Sequence, residues 1–296
     1  EEYDSEFYRV EKDYISGTVA MDSSAQGYRG ISTYNSVMNG YVKDFVETCV
    51  PELFFADYNH YTFWNHVEDN RLAAFLGIRY ILSGDGNPDE SEWKLLDKVG
   101  SLYIHENALE ADTAHFYTTA ISEDSLRELC AEETRDRLLE GAIALEDGED
   151  VDSMEEFDAL ISGGETENEN TQNGASADVG EKAAGTPEEA SYVTLDAPEK
   201  DSRITGSIHA ENEGYALFMI PYEDGWELTI DGEEAELLRG DIGFLACEVP
   251  EGDHTLELTF HAPGLMEGAA GSAACWAAFA ILCAAPGIGK RRKEKV

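Results

Sequence analysis

Ile220-Pro221-Tyr222-Glu223-Asp224-Gly225-Trp226-Glu227-Leu228-Thr229-Ile230-Asp231-Gly232 is the stretch from which the architecture can be read. Between Trp226 and Ile230 apolar and polar residues alternate, the period of a strand with one buried face. Asp231-Gly232 then supplies the strongest short hairpin signal, because a tight two-residue turn needs positive φ at both positions. A return strand is expected after it. Further strands are expected at Ile204–Ala210 and Tyr215–Pro221, and Ile242–Val249 and His254–His261 are expected to pair across Pro250-Glu251-Gly252-Asp253. Five or six short antiparallel strands with tight turns predict a small β-sandwich over residues 191–263.

Residues 1–145 read as a mixed α/β region. Phe7 to Val10 looks like a strand. From Ser32 onward Tyr34, Val37, Met38, Tyr41, Val42, Phe45 and Val46 recur at helical spacing, so an amphipathic helix is expected from there. A second helix is expected from Val67 to Leu76, stopped by Gly77, followed by a buried strand Ile78–Leu82 and an exit loop Gly84–Pro88. Ser101–His105 and His115–Ile121 read as strands, and Leu126–Ile143 as a helix broken near Ala131. The fold class is therefore α+β: a mixed α/β N-terminal domain, a small antiparallel β-sandwich and one C-terminal transmembrane helix.

Charge divides the chain sharply. With 62 acidic and 20 basic residues the 296-residue chain carries −42. That excludes nucleic acid as a partner, since a phosphate backbone needs Lys/Arg stripes, and it opposes soluble docking onto anionic lipid. Lys290 to Lys295 hold five bases and one acid, a net of +4, which leaves −46 on residues 1–289. Residues 146–190 contain 15 Asp/Glu and one Lys with few large apolar side chains, and read as an acidic linker or insertion that cannot offset its ordering entropy. Gly268 to Gly289 are 22 uncharged residues. As a helix they would cover about 33 Å, the thickness of a hydrocarbon core. Nine of the 22 are Ala, so a buried Ala-rich helix of a soluble core is the competing reading. The basic cluster behind it favours a span over residues 264–289 with residues 290–296 as a cytoplasmic tail and residues 1–263 outside the cytoplasm. No charged-then-apolar leader follows Glu1, and the chain is expected to be an excerpt of something longer.

Read in order, several stretches carry a resemblance. These are Tyr28-Arg29-Gly30-Ile31-Ser32-Thr33-Tyr34-Asn35-Ser36, Leu76-Gly77-Ile78-Arg79-Tyr80-Ile81, Leu102-Tyr103-Ile104-His105-Glu106-Asn107, Ile220 to Trp226 with Asp231-Gly232, and Gly252-Asp253-His254 before the last span. Together the pattern resembles the C-terminal part of the bacterial YfhO-type membrane proteins, which are similar to GT-C glycosyltransferases. The resemblance implies a multi-span bacterial membrane enzyme that moves a sugar from a polyprenyl-phosphate carrier to an envelope glycopolymer such as lipoteichoic acid. It also implies a catalytic carboxylate, in some cases with a divalent metal, in the membrane half and not in this chain. This chain itself is expected to hold no catalytic residue, no metal and no cofactor. The long acidic insertion and the Ala-rich last span depart from the family's pattern.

Candidate glycan contacts are Tyr34 and Asn35, and Tyr58, His60 and Trp64 within Asp57-Tyr58-Asn59-His60-Tyr61-Thr62-Phe63-Trp64-Asn65-His66. Sugars present apolar C–H faces and hydroxyl edges, which such interleaving matches. Packing of the same rings in the first domain's core is the alternative. His60 and His66 are six apart, a spacing that suits no helical metal pair. Trp226 reads better as a turn-anchored core residue than as a binding aromatic. Cys49, Cys130 and Cys247 lie outside the apolar segment and allow at most one disulfide. Two function classes follow: an acceptor-positioning ectodomain of an envelope glycosyltransferase, or a non-enzymatic membrane-anchored glycan-binding or adhesion module. Replacing Gly148 to Glu188 by a short Gly/Ser bridge should leave thermal stability nearly unchanged. A fall of the melting temperature by more than about 4–8 °C would show that the segment packs.

Overall fold

The computed structural model describes residues 6–14, 22–34, 38–54, 60–63, 70–84, 88–139, 141–146, 191–198 and 202–284. The expected acidic linker, the Gly84–Pro88 loop beyond Gly84 and before Pro88, and the basic tail lie outside them. The fold is α+β.

Its centre is β12 (Gly214–Pro221), whose residues Ala216 to Ile220 are all buried. Unbroken burial means both faces of the strand are covered. Ala216, Phe218 and Ile220 face one hydrophobic core and Leu217 and Met219 face another. β16 (Phe244–Val249) behaves likewise, with Leu245, Cys247 and Val249 on one side and Phe244 and Ala246 on the other. These strands belong to a six-stranded sheet in the order β7-β12-β16-β15-β9-β8, with β7 Ala114–Tyr117, β8 Ala120–Ser122, β9 Ile143–Leu145 and β15 Leu238–Gly240. On one face lies a five-stranded sheet, β10-β11-β17-β13-β14, made of Tyr192–Leu195, Arg203–Ala210, Gly252–Phe260, Trp226–Ile230 and Glu233–Ala235. Val193, Ile204, Ile208, Leu228, Leu256 and Leu258 supply its half of the shared core. The sandwich expected over residues 191–263 is present and draws three further strands from residues 114–145.

The other face of the six-stranded sheet is covered by helices α2 (Gly40–Cys49), α4 (Glu123–Arg127) and α5 (Ala131–Leu138), through Val42, Phe45, Val46, Leu126 and Leu138. The same core continues through α3 (Asn70–Phe75) into a four-stranded sheet, β1-β4-β6-β5: Arg9–Lys12, Ile78–Ser83, Leu102–Asn107 and Trp93–Val99. Ile78, Ile81 and Trp93 are its buried contribution. The short helix α1 (Asp22–Gln26) and the two-residue strands β2 (Thr33–Tyr34) and β3 (His60–Tyr61) complete this side.

The hairpin at Asp231-Gly232 forms as expected, with φ of 54° and 82° at the two turn residues. Other expectations are corrected. β16 and β17 do not pair with each other: β17 sits between β11 and β13 while β16 sits between β12 and β15. Their burial patterns explain it. β16 is covered on both faces and belongs in the middle layer, whereas Leu256 and Leu258 of β17 alternate with more exposed residues, as in a sheet with one solvated face. The helix expected from Ser32 starts at Gly40 instead. Asn39 caps it, its Oδ1 accepting from Tyr41 N at 2.9 Å and Val42 N at 3.1 Å, while Ser32 is engaged elsewhere. Leu126–Ile143 divides into α4, α5 and the strand β9. Strands β5, β10 and β15 were not foreseen.

All five cysteines are free, so no disulfide joins Cys49, Cys130 and Cys247. The last helix, α6 (Leu265–Ala284), is long and apolar enough to cross a membrane, and none of its apolar window is buried. That removes the competing reading of a helix inside a soluble core.

Gly77 ends α3 with φ +73°, and a Cβ there would lie 2.5 Å from Thr113 Cγ2 and 3.0 Å from Asp112 O. Gly27 has nearly the same φ, +74°, with open space around it. Gly27→Ala should cost about 1–2 kcal/mol, the left-handed penalty alone. Gly77→Ala should exceed it by roughly 1–3 kcal/mol through overlap with the β6–β7 connection. Chemical unfolding of both variants checks this; equal losses would show that backbone strain, not space, governs Gly77.

Candidate functional site

Three of the four residues of β1 are charged or basic-acidic partners of the core: Arg9, Glu11 and Lys12 are buried. Buried charges must be hydrogen-bonded, and these are. Arg9 donates to Leu76 O at 2.6 Å and to Met219 O, so one guanidinium joins the end of α3 to β12. Lys12 Nζ donates to Gln26 Oε1 at 2.7 Å and lies over the Tyr28 ring at 5.1 Å. Glu11 accepts from Ser32 N at 2.8 Å, Ser32 Oγ at 2.9 Å and Ile31 N. Burial pushes its pKa above the usual carboxylate range, and the Ser32 and Ile31 hydrogen bonds oppose that shift. Gly30 makes the approach possible, since a Cβ there would stand 3.0 Å from Glu11 Oε1. Ser32 Oγ also accepts from Phe63 N at 2.9 Å.

The Tyr28–Tyr34 stretch is thus a loop moulded around a buried carboxylate. It forms one wall of a cleft of about 370 Å³. Ser32 and Thr33 bring polar groups to this wall, and Arg9 and Leu76 also line the cleft. Asn39, Val42, Phe45 and Val46 of α2 form the facing wall, closed by Met219, Pro221 and Phe244. Asn39 ties the start of α2 to the end of β12 by donating from Nδ2 to Tyr222 O at 2.9 Å while its Oδ1 caps α2. Tyr41 packs edge-on against Tyr222, with ring centroids 5.2 Å apart.

Among the sequence candidates, Tyr34 and His60 are brought together: they are paired positions of the β2–β3 ladder, directly after Thr33 of the cleft wall. Asn35, Tyr58 and Trp64 lie outside the described residues. Phe63 and Thr62, from the same aromatic run, are buried, and Phe63 belongs to the core. Trp226 packs against Phe260 with centroids 5.1 Å apart at the margin of the sandwich core. Sequence reasoning did not find Arg9, Glu11, Ser32 or Asn39 as the builders of the cleft. The available signal was three charged residues within four at Arg9–Lys12, where the strand forms, two of them beyond the expected Phe7–Val10 strand.

Behind α2 stands a second polar cluster. Arg127 bonds Asp44 at 2.6 Å and Glu123 at 2.7 Å, and Arg239 bonds Glu123 at 2.9 Å and Ile242 O at 2.7 Å. The Arg127 guanidinium holds Asp44 below the usual carboxylate range. Asp241, fully buried with φ +45°, accepts from Ala144 N at 2.7 Å, while its Oδ2 has no hydrogen-bond partner among the described residues. Burial pushes its pKa up to about 8, with Glu123 adding to the shift. Burial thus favours its protonated form, and this cluster fastens β9, β15 and α2 together.

One segment of the chain matches a known family. Residues 196–272, from the end of β10 into α6, match the family described as bacterial membrane protein YfhO. Over those residues the chain is similar to the YfhO family. The uncharacterized YfhO protein of Bacillus subtilis (strain 168) is 37% identical over 62 residues, covering 21% of this chain and 7% of the relative. The chain thus matches a small share of that relative's length. No solved structure matches. The YfhO match contains four of the five strands of the solvated sheet together with β12, β15 and β16, while the cleft's Gly30–Thr33 wall and α2 precede it.

Asp241 makes a testable contribution to stability. Its folded pKa lies above its unfolded value of 3.8, so its contribution is complete below pH ~4 and is lost as pH rises through about 8. Asp241→Asn should flatten the pH dependence of unfolding over that window, with the variant gaining on the wild type as pH rises. Parallel curves would show that Asp241 is not a buried neutral acid.

Proposed function

We propose that this chain is the extracytoplasmic C-terminal region of a GT-C-like membrane glycosyltransferase, and that it positions the acceptor. The donor is a sugar on a polyprenyl phosphate, the acceptor an envelope glycopolymer of the lipoteichoic acid kind. The transfer chemistry belongs to the membrane half, where a carboxylate, with or without a divalent metal, would activate the acceptor hydroxyl as the lipid phosphate leaves. In this arrangement residues 1–263 face outward and the basic tail faces the cytoplasm.

The observation that supports this reading most is the cleft beside the Tyr34–His60 ladder in a chain similar to the YfhO family. Its lining combines an apolar bed (Met38, Val42, Phe45, Met219) with hydroxyl and amide edges (Ser32, Thr33, Asn39), the pairing of surfaces that a sugar ring presents in reverse. Both walls are held by half-buried hydrogen bonds, so the surface is formed before a ligand arrives and little ordering cost remains.

In the full-length protein, Met38→Trp should fill the cleft and lower sugar transfer to the envelope polymer while the melting temperature stays within a few degrees. His60→Ala and Trp64→Ala should lower transfer up to about tenfold, the weight of one stacked aromatic. Loss of expression with Trp64→Ala, a cost of about 3–5 kcal/mol, would mark that ring as core. Glycan binding without any transfer would replace the enzyme by a binding module.

A further inference from the structure

One wall of the cleft hangs on a single carboxylate. Gly30, Ile31, Ser32 and Thr33 all line the cleft, and Glu11 of β1, 2% exposed, stands behind them. Its Oε1 accepts from both Ile31 N and Ser32 N, and its Oε2 accepts from Ser32 Oγ at 2.9 Å. Ser32 Oγ in turn accepts from Phe63 N at 2.9 Å, just beyond β3. Glu11 therefore sets the wall directly and, through Ser32, the segment that follows His60 and Tyr61. The facing side is fastened without it: Asn39 is bonded to Tyr222 O, and Arg9 to the carbonyls of Leu76 and Met219.

The count of protons in this network depends on the charge of Glu11. An ionised carboxylate only accepts, and Ile31 N, Ser32 N and Ser32 Oγ all donate to it. A proton on Oε2 would meet the hydrogen that Ser32 Oγ donates; the hydroxyl would have to turn that hydrogen away and leave it without its acceptor. A proton on Oε1 would displace one of the two amides. Burial acts in the opposite sense, since a neutral carboxyl is easier to bury. It raises the Glu11 pKa above the ordinary 4.5, while bonds from Ser32, Ile31 and the Lys12 amide lower it. Protonation thus relieves one cost and breaks the bonds that shape the wall.

The charged residues of the surrounding elements are Arg9, Lys12 and Asp13 on β1, Asp22 on α1, Arg29 in the loop before Gly30, and Arg79 on β4. Lys12 reaches Gln26 at 2.7 Å, Arg29 reaches Pro198 O at 3.0 Å, Arg79 reaches Glu6 at 2.8 Å, and Asp13 accepts from Gly84 N at 2.8 Å. Hydrogen bonds from Ser32, Ile31 and Lys12 N, ahead of any of these charges, are what favour the ionised form of Glu11. His60 on β3 is a second titratable residue of the region.

We propose that Glu11 is a positioning residue that controls the cleft by its charge: ionised, it holds Gly30 to Thr33 in the shape that lines the cleft; protonated, it releases that wall. The cleft then takes its sugar ligand in the ionised state and loses it on acidification, with β12 and α2 unmoved. The identity of the ligand rests on the acceptor-positioning reading. Control of the wall rests on the hydrogen bonds alone.

Hydrogen–deuterium exchange of the full chain in detergent, corrected for the intrinsic pH dependence of amide chemistry, tests it. The amides of Ile31, Ser32 and Phe63 are followed from about pH 8 to about pH 5, a range that reaches a carboxyl raised above 4.5. Their protection should fall by about tenfold or more as bonds to a charged group are lost, while Val46 and Cys49 in α2 keep theirs. Glu11→Gln should show the low protection at every pH and no step. Ser32→Ala removes a donor that favours the ionised form, so the step at the Ile31 amide should move to higher pH. That variant decides the matter if Glu11→Gln does not fold. No step in the wild type, a step that survives Glu11→Gln (as titration of His60 would produce), a step that spreads to α2, or an unmoved midpoint in Ser32→Ala overturns the proposal. Purified lipoteichoic acid titrated onto the same sample should bind at the upper pH and weaken along with the exchange step. Equal binding at both ends of the range overturns the control of the cleft. Binding at neither end, with the exchange step present, counts against the acceptor reading and leaves the control of the wall by Glu11 supported.

Discussion

The two-sided burial of β12 is the constraint from which the other layers follow. A strand with Ala216, Leu217, Phe218, Met219 and Ile220 all shielded needs partners above and below it. The five-stranded sheet provides one and the helices provide the other. β16 repeats the demand beside it, and together the two strands make the six-stranded sheet the middle of a three-layer structure. Placing a polar residue at Leu217 or Phe218 would leave it in a core with no water on either side, where an unpaired group costs several kcal/mol.

Polar fastenings are set where these layers meet. Arg9 crosses from β1 to the carbonyl of Met219, and Asn39 from the start of α2 to that of Tyr222. Both reach carbonyls at or next to the end of β12, where its ladder to β16 shifts register between Phe218 and Pro221. The irregular end of an otherwise regular strand leaves backbone groups to be satisfied, and side chains from other elements satisfy them. The cleft lies there for the same reason: the layers diverge, and Glu11 shapes the loop that lines the gap.

The similarity to the YfhO family covers the sheet region and the start of α6, whereas the cleft is completed by residues before that region. The strands that match form the frame; Gly30 to Thr33 and α2 add the concave surface to it.

Local pattern alone determined the strands with strong periodicity or turn chemistry. Trp226–Ile230 with its Asp-Gly turn, Ile78–Ser83 after Gly77, and the exposed apolar α6 were legible because each is specified by neighbours in sequence. The α+β class and the YfhO resemblance followed from their order. Other features depended on partners far along the chain. Ser32 looked like a helix cap until Glu11, 21 residues away, claimed its hydroxyl and amide. β16 and β17 looked like a hairpin because only Pro250 and Glu251 separate them, yet the number of faces each must bury sends them to different sheets. The candidate surface was half legible: His60 and Tyr34 were chosen from composition, and the ladder that pairs them was not. Arg9 and Glu11 were invisible as builders, because a buried charge is permitted only by the hydrogen bonds that tertiary structure brings to it.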